Sequence, residues 1–184
     1  MLYPGGIKKT LVKEISYKNR GMELENIINQ TNTYYREKDI AYIYKKPTPI
    51  KVVKAEYSKK GRRIIDAFYE TPSTLDFNGI YKGKYIEFDA KETINKTSFP
   101  IKNIHNHQIE HIRNIYNHKG IVFLIIKMNN RYFILMGEDF LKFLDNNERK
   151  SIPYEYISKY GIEISMTLNG LDYLKKLGDR IWKS

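Results

Sequence analysis

From Arg20 onward, Leu24, Ile27, Ile28, Thr31 and Tyr35 recur at helical spacing, while Glu23, Glu25, Arg36 and Lys38 fall off that stripe. The spacing predicts an amphipathic helix ending near Asp39. Residues 40–44 have the composition of a strand, and Pro47 and Pro49 then break any regular ladder because neither has an N–H to donate. After Pro72, two strands are predicted at about 75–81 and 84–91, joined by a tight turn at Lys82 and Gly83. A loop over 92–100 leads to a helix at about 103–118, with Ile104, Ile109, Ile112 and Tyr116 on its buried side and Gly120 as its stop. Residues 121–127 and 131–136 read as a hairpin turning at Asn129 and Asn130, the first strand apolar enough to be central. Phe140, Leu141 and Leu144 mark a short helix, and Ser151, Ile152 and Pro153 start another. A strand at 162–166 and a final helix carrying Leu171, Leu174 and Leu177 complete the chain. The order predicts an α/β fold, a mixed sheet flanked by helices.

The chain has 184 residues, which fits a single domain at 20–184 with an excursion from it. Residues 1–19 mix Pro4, Gly5, Gly6 and several lysines without a period, and are expected to form a flexible basic arm. Cysteine is absent, which excludes a disulfide scaffold, a thiol nucleophile and every cysteine-ligated metal site. The longest apolar run, 121–126, is too short to cross a bilayer, and the first residues lack the features of a signal peptide. The expectation is a soluble cytoplasmic protein with no membrane partner. Lys and Arg number 32 against 21 Asp and Glu, a net charge of +11 that suits a polyanionic partner.

The position of that charge sharpens the picture. Lys45, Lys46, Lys51, Lys54, Lys59, Lys60, Arg62 and Arg63 crowd one stretch that holds a single acid, Glu56. Short apolar runs around Ile50, Val52 and Val53, a turn near residues 58–61, and too few apolar positions for two packed faces predict a protruding basic β-stalk over about 45–73. With Phe68 and Tyr69 beside the cations, such a ribbon suits phosphate contacts combined with base stacking.

The strand at 84–91 carries the chemistry. Side chains alternate along it, so Ile86, Phe88 and Ala90 share one face and Glu87, Asp89 and Lys91 the other. Same-face neighbours lie about 6.5–7 Å apart, close enough to surround one small site. The hairpin folds the strand of Asp76 back beside this one, which predicts a cluster of Asp76, Glu87, Asp89 and Lys91. Carboxylates of this kind hold hard cations such as Mg²⁺. A metal so held polarises a phosphoryl oxygen and activates water, while a neighbouring lysine meets the charge that gathers on the phosphate. Read without that chemistry, the same strand is an edge strand with a solvated charged face. The four histidines, His105, His107, His111 and His118, follow the helix spacing without an acidic or cysteine partner to complete a zinc set, and read as helix and DNA-proximal residues.

An Asp followed by Asp/Glu-x-Lys on a β-hairpin resembles the restriction-endonuclease-like, or PD-(D/E)xK, nucleases. More narrowly, the stretches RGMELE, KKPTPIKVVK, TLDFNGIYKGKYIEFDAKET and NKTSFPIKNIHNHQIEH resemble the RecU family of bacterial four-way-junction resolvases. The resemblance runs over about 19–120 with few gaps and more loosely beyond. It implies Mg²⁺ ligands at Thr74, Asp76, Asp89 and Gln108, with Mn²⁺ as a substitute, and a transition-state-stabilising lysine at Lys91. Thr74, two before Asp76, would share its strand face, and Gln108 would aim its amide oxygen at the hairpin. Glu25 matches a family Glu that holds a water or a second metal, and Lys96, Thr97 and Ser98 would steady the scissile strand.

The implied activity is a Mg²⁺-dependent Holliday junction resolvase that nicks paired strands symmetrically, in homologous recombination, DNA repair and chromosome segregation. Two nicks imply a homodimer on branched DNA, with recombinase and branch-migration proteins as further partners. One departure stands out: where the family has Asp then Glu, this chain has Glu87 then Asp89, and a shift near 1 Å at such a site costs about 100-fold in rate. A junction-binding scaffold or recombinase modulator with impaired catalysis is therefore the rival reading, and a sequence-specific restriction-type nuclease is a third.

Overall fold

The computed structural model describes residues 20–70 and 74–181, with side chains from residue 23. The arm at 1–19, and Pro72 with the end of the stalk at 71–73, lie outside the described residues. Helix α1 (Arg20–Glu37) buries Leu24, Ile28, Thr31 and Tyr35, the stripe that its spacing predicts. Strand β1 (Tyr42–Lys45) follows, then a hairpin of β2 (Ile50–Ser58) and β3 (Gly61–Tyr69), and then β4 (Phe77–Tyr81) and β5 (Lys84–Glu92). Lys82 and Gly83 both take positive φ in the tight turn between β4 and β5, the conformation that suits the twist of a two-residue hairpin. Strand β6 (Ser98–Pro100), helix α2 (Asn106–Asn117), and strands β7 (Ile121–Met128) and β8 (Arg131–Met136) continue the chain. The last part comprises α3 (Gly137–Asp145), β9 (Ser151–Pro153), α4 (Tyr154–Tyr160), β10 (Ile162–Ile164), β11 (Met166–Thr167), β12 (Gly170–Leu171) and α5 (Tyr173–Ile181).

Six strands form the main sheet in the order β1-β4-β5-β7-β8-β10. Only β5 and β7 run parallel, with α2 crossing between them. β7 lies between β5 and β8 and is apolar on both sides because both are covered. Phe123 and Ile125 join Phe88 and Tyr173 in the core beneath α1 and α5, while Val122, Leu124 and Ile126 join Ile112 and Phe140 on the other side. The result is a mixed α/β protein with helices on both faces of its sheet.

Several local expectations shift. Residues 151–153 form strand β9, paired with β6 at the end of what reads as a loop, and the expected helix starts directly after them, capped by Pro153. The helix expected from 103 begins at Asn106, after a 3₁₀ turn over Ile101–Asn103. Its end is turned by Lys119 in the left-handed region, not by Gly120, and Tyr116 is exposed. Strand β4 starts at Phe77, so 74–76 lie outside it.

The hairpin of β2 and β3 forms a separate two-stranded sheet, with register irregularities at Lys54. Lys51, Lys54, Lys59, Lys60, Arg62, Arg63, Phe68 and Tyr69 are all exposed along it.

The register that matters most is fixed by aromatic stacking. Phe88 lies against Phe77 at 5.0 Å and Phe123 at 4.7 Å between ring centroids, both pairs nearly coplanar in orientation. β1 is held close by Gly79, where a Cβ would stand 2.1 Å from the Tyr42 carbonyl oxygen. Truncating Phe88 to Ala should destabilise the protein by about 3–5 kcal/mol, read as a lowered urea midpoint in equilibrium unfolding.

Candidate active site

Phe77 pairs with Phe88, and Asp76, just outside the ladder, comes close enough to Asp89 for the two carboxyl groups to interact. Asp89 is fully buried. Its Oδ2 accepts a hydrogen bond from Gln108 Nε2 at 2.7 Å and lies 2.9 Å from Lys91 Nζ, and its Oδ1 accepts the Ala90 N–H at 2.7 Å. Burial, and then the charge of Asp89, hold the Asp76 carboxyl above the usual carboxylate range, while Lys91 and Lys45 pull it back. Thr74, Asp76, Glu25 and Lys45 line one cleft of about 560 Å³ at the root of the hairpin. Glu25 is ion-paired with Lys45 there.

Glu87 belongs to a different set of contacts. It is 1% exposed, and its Oε1 receives His111 Nε2 at 2.8 Å, the Leu75 N–H at 3.3 Å and the Lys46 ammonium. Tyr85 donates its hydroxyl to Oε2. Burial works to raise the Glu87 pKa, but hydrogen bonds from Lys46, Tyr85 and His111 outweigh it and keep the carboxyl below its ordinary value. Tyr85 is pushed up to about 12 by burial and by donating to that carboxylate. The acids expected as one cluster are thus divided between two networks two residues apart.

The structure brings Asp76, Asp89, Lys91 and Gln108 together, with Thr74 and Glu25 on the same cleft. Two details depart from the sequence reading. Thr74 reaches the cleft from outside β4, so strand alternation does not place it there. Gln108 presents its amide nitrogen, not its oxygen, to Asp89, because its Oε1 accepts the His105 N–H at the start of α2 at 3.2 Å. Lys45 and Lys46, read as DNA contacts, spend their charges on Glu25 and Glu87. Lys96 and Thr97 are exposed and Ser98 is half-buried in β6. Sequence reasoning misses Tyr85 and His111 as partners of Glu87; the signals are Tyr85 two before Glu87 on one strand face and His111 one helical turn after Gln108.

Among the described residues no group of three or more His, Asp and Glu side chains gathers around one point. The donor set is two carboxylates, Asp76 on the cleft and Asp89 buried behind it. It fits a hard divalent cation of the kind bound through one or two carboxylates, with water and substrate phosphate oxygens supplying the rest. A cation there would also relieve the repulsion that raises Asp76.

Sheet and site together define a mixed α/β protein with an acidic, lysine-flanked cleft at the root of a basic hairpin. The family model described as Recombination protein U (RecU) matches residues 19–179. A Holliday junction resolvase RecU from Staphylococcus aureus (strain JH9) is 47% identical over 178 residues, covering 93% of this chain and 86% of the relative. Its counterpart from strain MRSA252 is 46% identical with the same coverage. Among solved structures, Archaeoglobus fulgidus Hjc, a Holliday junction resolvase from an archaeal hyperthermophile, aligns at a TM-score of 0.45 and 10% identity, covering 78% of this chain and 95% of that one. The chain belongs to the RecU family.

The raised Asp76 gives a stability prediction with a definite sign. Between the ordinary and the raised pKa the folded state binds a proton that the unfolded chain lacks, so stability is lost as pH climbs through that window. Metal-free Asp76→Asn protein should therefore melt above the unchanged protein at about pH 8 and converge with it near about pH 4. Differential scanning calorimetry at the two pH values checks this; the gain should be small, because the cleft admits screening water.

Proposed function

We propose that this protein is a divalent-metal-dependent endonuclease that resolves four-way DNA junctions by nicking paired strands symmetrically. The observation that carries the reading is the facing of Asp76 and Asp89, with Lys91 2.9 Å from Asp89, at the root of a hairpin that exposes six lysines and arginines against two acids, Glu56 and Asp66. This sheet-and-hairpin arrangement is also the one expected of restriction-endonuclease-like nucleases. Asp76 and Asp89 would hold Mg²⁺, with Thr74 and Glu25 at the edge of the same cleft. When bound, the ion supplies polarisation of the scissile phosphate and a water of lowered pKa.

The chain's own groups do the rest. Lys91 places an ammonium where negative charge builds on the phosphate, and the partly buried cleft strengthens that interaction. Gln108 holds Asp89 in position through its amide. The hairpin lysines and arginines bind phosphates without reading bases, so junction shape supplies the selectivity. Tyr57, Phe68 and Tyr69 offer exposed rings for stacking on unpaired bases.

A homodimer supplies the second active site. An exposed apolar strip supports it: Tyr42 on the edge strand β1, Ile80 beside it on β4, and Tyr85 beyond on β5.

Asp76→Ala and Lys91→Ala should each abolish junction nicking in Mg²⁺ while leaving junction binding in a gel-shift assay intact. Tight binding by the unchanged protein without nicking in Mg²⁺ or Mn²⁺ would instead select the scaffold reading that the Glu87/Asp89 exchange raises. Replacing Lys59 and Lys60 by Ala should weaken binding to all junction sequences alike. It should also reduce the salt slope of log K by about one for each phosphate that is no longer neutralised.

A further inference from the structure

The basic hairpin leaves the fold just after Lys46 and returns just before Leu75, and both legs are tied to one oxygen. Glu87 Oε1 takes the Lys46 ammonium from the outgoing leg and the Leu75 N–H, at 3.3 Å, from the returning one. His111 Nε2 reaches the same oxygen from α2 at 2.8 Å, and the Tyr85 hydroxyl occupies Oε2. Lys46 is fixed a second time, its backbone N–H donating to the Asp76 carbonyl at 2.7 Å. With four donors on a side chain that is 1% exposed, Glu87 ties both hairpin legs and helix α2 to β5. Glu87 stands two residues before Asp89 on the same face of β5, about 6.5–7 Å from the metal-facing acid.

We propose that Glu87 is a positioning residue, not a metal ligand: it pins both legs of the hairpin to the catalytic strand and so sets where on the bound DNA strand the nick falls. The proposal rests on the endonuclease reading above. DNA gripped by the hairpin reaches Asp76, Asp89 and Lys91 at an offset that the Lys46–Glu87–Leu75 contacts hold constant. With the clamp released, the hairpin can rock about its root, and neighbouring phosphates enter the cleft in place of the proper one.

The test uses the full chain, a strand-labelled four-way junction and Mg²⁺, with nick positions mapped at nucleotide resolution for Glu87→Gln and Lys46→Met. Mn²⁺ binding by calorimetry and amide hydrogen exchange across 46–50 and 75–76 are measured alongside. The expected result is a spread of nicks onto adjacent phosphates and a fall of about 100-fold at the original position. Exchange should quicken at both legs, and Mn²⁺ affinity should be unchanged in Glu87→Gln. Lys46 is partly exposed, so Lys46→Met supplies the same readout if Glu87→Gln does not fold. Loss of Mn²⁺ binding in Glu87→Gln makes Glu87 a ligand and overturns the proposal. Slower nicking at unmoved positions in both variants also overturns it while leaving the endonuclease reading intact. Unchanged protein that binds the junction and nicks nothing overturns the endonuclease reading itself.

Discussion

Two carboxylates face each other at the end of a β-hairpin because two phenylalanine rings behind them stack. Phe77 and Phe88 are fully buried and nearly parallel, and their pairing leaves Asp76 and Asp89 close together just beyond them. A slip of one residue would turn every side chain of β5 over, sending the acids into the core beneath α1 and the phenylalanines into the cleft. The apolar face therefore enforces the polar one. The like-charge contact that it imposes is unfavourable in isolation, and Lys91, Lys45 and the Gln108 amide only partly offset it. The fold keeps a local electrostatic deficit in place at the position where the proposed cation would bind.

The lengths of the two β5 acids follow this division. Asp89, the shorter, sits beneath α2 within reach of Gln108, Lys91 and Asp76. Glu87, the longer, extends to two separate chain segments and a helix at once. The order of Glu87 and Asp89 along β5 is thus a division of reach. The side chain that gathers distant structure is long, and the one held at the cleft by its neighbours is short.

How much of this the sequence discloses depends on the range of the forces involved. Alternation along 84–91 correctly separates Ile86, Phe88 and Ala90 from Glu87, Asp89 and Lys91, because that period is a local property of the strand. The α1 stripe and the doubly apolar β7 are legible for the same reason. The pairing of β6 with β9 is not, because it joins segments some fifty residues apart and neither is long enough to carry a pattern. Likewise Lys46 reads as one more DNA-facing cation, since nothing nearby in the chain announces that Glu87 lies within its reach. The orientation of the Gln108 amide is hidden too, decided by a backbone N–H at the helix start.

Pro47 and Pro49 stand between β1 and β2, and neither has an N–H with which to hold a ladder rung. On the outgoing side, mechanical load on the hairpin therefore cannot run up a continuous ribbon into the six-stranded sheet. It must pass through discrete fasteners, and an arm that twists leaves the strand alignment behind it undisturbed.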